Sequence, residues 1–209
     1  IDPIKDQIIE THPLPKPIAS EIIAVCLERQ FYTEVYTLNE YYLLRRQVSD
    51  LTRIHTHILQ HEPILVDALD AIAKTQDIYK ITPVVPNESG MPAVESALSP
   101  FKDALEITWS LHPIAMPHQF CGIAPKGISK RQAATTVLSH LGIDASAVLG
   151  VGDSTSDWKF MELCGFAATL ENGQDPLKAL ISAKGDAGFI GGHVDTNGIL
   201  SIFDHFHLP

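Results

Sequence analysis

Val148-Leu149-Gly150-Val151 is a short unbroken apolar run, and Gly152-Asp153-Ser154-Thr155-Ser156-Asp157 follows it directly. A strand that is apolar on both of its faces has to be buried on both, which is the pattern of a parallel sheet covered by helices. The residues from Asp157 to Leu163 predict a helix, so two carboxylates four residues apart stand where a buried strand gives way to a helix. In open α/β sheets, ligands bind outside the carboxyl ends of the strands. Gly152 lets the chain turn sharply there and approach a ligand closely. An aspartate at a helix start can also serve only as a cap. That reading suits Asp157 taken alone, but the full G-D-x-x-x-D pattern behind an apolar strand favours a site.

The flanking segments agree with a parallel sheet. Ser129 with Gln132 three residues on has capping-box spacing, and Ala133, Ala134, Val137, Leu138 and Leu141 recur at helical spacing. Gly142 supplies the stop, with Ile143 behind it. Phe166 to Leu170 predicts a strand, Pro176 to Lys184 a helix, Ala187 to Ile190 a strand and Gly198 to Phe206 a last helix. Short strand–helix repeats of this kind give the fold class α/β, with a doubly wound parallel sheet.

The first half reads differently. Residues 1–12 suggest an extended hairpin, and His12-Pro13-Leu14-Pro15-Lys16-Pro17 a hinge, since proline fixes the backbone and removes donors. Helices are expected over Ser20–Glu28, Leu43–Gln60, Ala68–Lys74 and Met91–Leu98. Strands are expected over Thr33–Leu38, Ile78–Val85, Ala104–Ser110 and Gln119–Ile123. Without strict alternation, this is an α+β unit. Three segments result: 1–15 as an edge and hinge, 16–124 as the α+β domain and 125–209 as the α/β domain.

Composition narrows the function. The 209 residues carry a formal net charge of −10 and no dense Lys/Arg cluster, so nucleic acid is not an expected partner. No apolar run is long enough to cross a bilayer, so a membrane is not expected either. Cys26, Cys121 and Cys164 are scattered and odd in number, which suits free thiols in a reducing cytoplasm. A negative surface still admits small phosphorylated substrates if a cation reverses the field inside the pocket. Magnesium takes oxygen ligands and commonly needs only one or two protein carboxylates. Lys130, in the first turn of a helix, sits against the partly positive helix end; a lysine facing an anion would explain this, but taken alone the residue reads as a solvated side chain. His57 and His61 lie four apart but without the further ligands of a metal site, so they predict a solvated face. Trp109, Trp158 and Tyr41-Tyr42 read as packing aromatics, with Tyr41 and Asn39 as the residues near a strand end that could face substrate.

Taken in order, Pro125-Lys126-Gly127-Ile128-Ser129-Lys130, Leu141-Gly142-Ile143, Val148 to Asp157, Glu171-Asn172-Gly173 and Asp195-Thr196-Asn197-Gly198 resemble the haloacid dehalogenase superfamily, most closely its Cof-like phosphatases. The resemblance covers nearly all of 119–209 and, more loosely, reads 16–124 as that family's inserted α+β cap. It implies a magnesium-dependent phosphohydrolase that acts on a small phosphorylated metabolite, such as a sugar phosphate, through an aspartyl-phosphate. Lys130 would neutralise the nucleophile and the phosphoryl group. Asp153 would bind Mg2+, Asp157 would hold the metal shell or orient Lys130, and Asn172 would support the site. The sequence departs from the family in two ways. The nucleophile motif D-x-D-G-[TS] and the following Ser/Thr motif are absent, and are expected upstream of Ile1; Ser156 stands where relatives usually carry Asn. Without the nucleophile, these 209 residues alone are expected to be inactive, and a homo-oligomer that covers the incomplete sheet is a further expectation. The competing reading is a non-catalytic member that keeps the fold for binding.

Overall fold

A computed structural model describes residue 5 and residues 7–208. The chain divides into two compact units, one of residues 11–128 and one of residues 1–10 with 129–209. Most of the expected opening hairpin falls on residues 1–4 and 6, outside the described residues. Beyond them Gln7 makes a single bridge, and 8–15 carry no regular element.

In the 11–128 unit, α1 (Lys16–Glu28) is followed by β1 (Tyr32–Tyr36), β2 (Tyr41–Leu44), α2 (Asp50–Leu59), β3 (Ile64–Val66) and α3 (Leu69–Thr75). Then come β4 (Lys80–Val85), α4 (Met91–Leu98), β5 (Leu105–Ser110) and β6 (Gln119–Pro125). The strands form one sheet in the order β3-β2-β1-β4-β6-β5, antiparallel except for β2 with β3.

Two expectations need correction here. The proline-rich segment was expected to be a hinge through Pro17, but α1 begins at Lys16, with Pro15 as its N-cap residue and Pro17 in its first turn. The first helical turn has no intrahelical use for the N–H groups that proline lacks, so these prolines start the helix. The helix expected over Leu43–Gln60 is instead strand β2, a 3-10 turn at Arg45–Gln47 and then α2. Tyr41-Tyr42-Leu43-Leu44 is buried throughout, as a strand inside a sheet requires. The true helix start carries its own signal: the Ser49 N–H donates to Thr52 Oγ1 at 3.1 Å, half of a capping box.

Strand alternation gives the sheet two unlike faces. One is apolar: Val35, Tyr42, Leu44, Ile81, Val85, Leu105, Cys121 and Ile123 pack with Ile22, Ile23 and Cys26 of α1, Leu69 and Ala73 of α3, and Val94 and Leu98 of α4. Trp109 packs against this core, as expected of it. Burial pushes the Cys26 and Cys121 thiols up to about 12, so both stay protonated near neutrality. The other face is polar along its middle. The register sets Glu34 opposite both Leu43 and Thr82, and Thr108 opposite Gly122. The β4–β6 register that joins Ile81 to Ile123 and Val84 to Phe120 also sets Thr82 across from Gly122. Only part of this face is covered: Leu51, Ile54 and Ile58 of α2 pack on Tyr32, Val84, Ala115 and Phe120.

In the second unit, α5 (Lys130–Leu141), β7 (Leu149–Val151), α6 (Trp158–Met161), β8 (Phe166–Thr169), α7 (Asp175–Ser182), β9 (Gly188–Ile190) and α8 (Gly198–His205) follow the expected order. β7, β8 and β9 form a three-stranded parallel sheet, so the α/β class with a parallel sheet holds. Gly142 ends α5 at φ +65°, and the Ile143 N–H returns to the Leu138 carbonyl at 3.0 Å, which is the left-handed glycine stop read from the sequence. Met161, Ala167, Leu177 and Ile181 make the small core, with Trp158 partly buried against it.

Ile81 is fully buried in a central strand. Ile81→Ala is expected to lower unfolding free energy by about 2–5 kcal/mol in urea denaturation. Leu141→Ala, at a residue 52% exposed, should change it by no more than about 0.5 kcal/mol.

Candidate active site

The site residues gather at the carboxyl end of β7. Gly152 leaves the strand so close to the following helix that a Cβ there would stand 2.4 Å from the Cβ of Asp157. Any side chain at 152 would push Asp157 away, so the glycine is required by close approach rather than by its torsion angles.

Asp157 is 5% exposed, and its carboxylate is fully engaged. Oδ1 accepts from the Lys130 ammonium. Oδ2 accepts from the backbone N–H of Asp153 and of Ser154 and from the Ser154 hydroxyl, each at 3.1 Å. Burial alone would raise its pKa, but the Lys130 ammonium and the two N–H groups outweigh burial and hold it at about 2. Asp157 therefore does two jobs at once: it folds the 153–157 turn around itself and anchors the lysine.

Lys130 is the first residue of α5, whose start is fixed by the Ser129 hydroxyl accepting from the Gln132 N–H at 3.2 Å. Its side chain remains 58% exposed, so the ammonium is tethered without being buried. Asp153 is exposed, and its carboxylate makes no hydrogen bond or ion pair among the described residues. The site thus has one carboxylate committed to the protein and one left for a ligand. Ser156 shares a hydrogen bond with Ser154 at 2.8 Å between hydroxyl oxygens.

Asn172 lies in the loop after β8 and faces a different neighbour. Its Oδ1 accepts from the Val194 N–H at 3.2 Å, tying that loop to the turn after β9. The link from the β8 loop to the Asp153 turn is made by Gln174, which sequence reasoning missed. Its N–H donates to the Asp153 carbonyl at 2.9 Å, and its Oε1 accepts from the Thr155 N–H at 3.1 Å. Only its place next to Asn172-Gly173 could have drawn notice to it.

The residues fit a magnesium ion to the extent of one ligand. No group of three His, Cys, Asp or Glu side chains among the described residues could hold a metal by itself. A hard cation completed by water and phosphate does not need such a group, and the free Asp153 carboxylate at a strand end suits it. The histidines supply nothing here. His57 is exposed, and His61 pairs with Glu40 at 2.9 Å on the surface of the other unit. Tyr41 is 2% exposed, stacked on Tyr36 at 5.3 Å between ring centroids with its hydroxyl on the His61 carbonyl, while Asn39 lies in an exposed turn.

Residues 1–202 match the family model described as haloacid dehalogenase-like hydrolase. The chain belongs to the haloacid dehalogenase-like hydrolases. Among solved structures, a haloacid dehalogenase-like hydrolase from Bacteroides thetaiotaomicron aligns over 97% of this chain and 71% of its own, at 16% identity and a TM-score of 0.80. A protein from Thermotoga maritima aligns over 96% and 70%, at 15% identity and a TM-score of 0.81. A sugar phosphatase of superfamily subclass IIB aligns over 97% and 71%, at 17% identity and a TM-score of 0.72. At these identities the structures speak to fold alone. A curated plant protein, the chloroplastic endoribonuclease YBEY of Arabidopsis thaliana, is 24% identical over 137 residues. The match takes in 62% of this chain but only 22% of that protein.

Two outcomes are expected from the engaged Asp157. Asp157→Ala should cost on the order of 1–3 kcal/mol, read as a lower unfolding midpoint of the 129–209 unit. Because the folded pKa lies below the ordinary value of 3.8, the carboxylate stabilises the metal-free fold above that value, and this is lost as pH falls through about 2. As pH falls between these values, the unfolding midpoint should drop more in the parent than in Asp157→Asn.

Proposed function

We propose that this chain contributes the charge-stabilising half of a magnesium-dependent phosphohydrolase site that acts on a small phosphorylated metabolite. The observation that carries the reading is the division of labour between the two aspartates. Asp157 holds the Lys130 ammonium in place, and Asp153 is left unpaired at the same strand end. An ammonium already fixed in position can neutralise phosphoryl oxygens without reorganising during the reaction, which is where electrostatic catalysis gains most.

In this reading Lys130 binds the transferring phosphoryl group, Asp157 is its positioning residue, and Asp153 holds the metal. Magnesium, when bound, supplies further neutralisation of the phosphoryl oxygens. Gln174 keeps the Asp153 turn in register with the next loop, and Asn172 supports that loop at one remove. The 11–128 unit serves as the inserted cap that selects substrate. The family's D-x-D-G-[TS] motif, whose first aspartate takes up the phosphoryl group, does not occur in these 209 residues. The assays use the protein as its gene encodes it.

That protein is expected to release phosphate from para-nitrophenyl phosphate or a sugar phosphate when magnesium is present. Lys130→Ala and Asp153→Ala should each lower kcat by about 100-fold or more. Ser156→Asn should leave it within about threefold, because its hydroxyl touches only Ser154. Full activity in both alanine variants refutes the assigned roles. An inactive parent protein that still binds phosphate favours the non-catalytic reading.

A further inference from the structure

The polar face of the six-stranded sheet takes no part in the Lys130–Asp157 pair. It contains a cavity of about 260 Å³, lined from within residues 11–128 by α2, β4, β5, β6 and the turn after β5. Gly122 leaves a notch in its floor between Thr82 and Thr108, with the Phe120 ring beside it.

Three features set this cavity apart from an ordinary gap in packing. First, the Thr82 hydroxyl is buried and has no partner among the described residues. Thr82 as a whole is 3% exposed. Leaving such a group unpaired is unfavourable, so an unpaired hydroxyl lining a cavity is a donor and acceptor awaiting a ligand. Second, His55 lines the cavity while its Nδ1 is committed to Glu34 at 2.7 Å. Glu34 is fully buried and also accepts from the Tyr36 hydroxyl at 2.6 Å and from the Tyr32 hydroxyl at 3.3 Å. A carboxylate that receives three donors fixes the tautomer and orientation of the ring and leaves Nε2 for whatever occupies the cavity. Burying a carboxylate is a poor source of stability compared with apolar packing, so its presence beside a cavity calls for another use. Third, Lys80 lines the cavity with its ammonium 4.2 Å above the Tyr36 ring, and no Asp or Glu among the described residues lines it.

We propose that this cavity is a binding site for a small hydroxycarboxylate. Its volume equals that of roughly nine water molecules at about 30 Å³ each, the size of a monosaccharide acid. Hydroxyls of Thr82, Thr108 and Ser110 suit a polyhydroxylated body, and Phe120 and Ile58 give it an apolar surface to lie on. Lys80 is the one lysine among the described residues of the lining, its pKa lowered by burial, and the Glu34 carboxylate stands behind His55 and Tyr36. That balance suits a single negative charge, a carboxylate, better than a phosphate dianion. The proposal does not depend on the phosphohydrolase reading.

Calorimetric titration of the full-length protein with D-gluconate tests it, with D-glucose and inorganic phosphate as contrasts. Saturable gluconate binding is expected, about tenfold or more tighter than either contrast. Thr82→Val and Lys80→Met should each weaken it by about tenfold or more, and Lys130→Met should leave it unchanged. Thr82→Val should melt no lower than the parent, since it removes a hydroxyl with no partner among the described residues. Absence of gluconate binding, equal affinity for phosphate or glucose, or affinity unchanged in both cavity variants overturns the site. Loss of binding in Lys130→Met alone moves the ligand to the end of β7 and also overturns it. Neither result bears on whether Lys130→Ala abolishes phosphate release, so the two readings fail separately.

Discussion

The ion pair between Lys130 and Asp157 ties together parts of the chain that are 27 residues apart. One oxygen of Asp157 takes the lysine, and the other gathers the N–H groups of the turn that follows β7. Remove the carboxylate and three things loosen together: the start of α5, the turn that presents Asp153, and the seat of the ammonium. Gly152 belongs to the same arrangement, because the space it leaves is the space Asp157 fills. The interaction is thus structural and functional at once. A charge is held ready in place by a partner that the fold itself keeps ionised.

Each unit buries polar groups, and each has one buried hydroxyl without a partner among the described residues, Thr169 in one and Thr82 in the other. At the end of β7, both oxygens of the buried carboxylate accept hydrogen bonds, and what remains open is an exposed carboxylate in water. On the six-stranded sheet, a fully buried Glu34 is satisfied by two tyrosines and a histidine, while the neighbouring Thr82 hydroxyl is left without a partner. Natural interiors rarely leave such a group unpaired, and the exceptions draw notice to the cavity beside it.

Much of the 129–209 unit was legible because its signals are local. The Ser129 cap, the Gly142 stop and the apolar run into Gly152-Asp153 each act within a few residues, and each recurs in the structure as read. The 11–128 unit was harder where tertiary context overrode pattern. Leu43-Leu44 merged into the helix expected behind them, since a short apolar run such as Tyr41-Tyr42-Leu43-Leu44 has no period of its own. Burial between β1 and β3 made it a strand. The prolines before Ile18 were read as breakers, yet position decides their effect, and in a first turn they initiate. The Glu34–His55 pair was not legible at all, because 21 residues separate its members and only the crossing of α2 over β1 brings them together. Gln174 escaped notice for the same reason, since its partners lie 19 or more residues away.

One residue of the sheet has a bearing on how such a protein could diversify. A Cβ added at Gly122 would meet the Thr108 Oγ1 at 2.9 Å, the movable tip of a side chain rather than fixed backbone. The strand could therefore accept alanine there with a small rotation of Thr108, and the floor of the cavity would rise by one methyl group. Pocket depth is in this sense set by a single codon, away from the packed core and from the charged turn. Lineages could retune the size of what they recognise without renegotiating stability or chemistry.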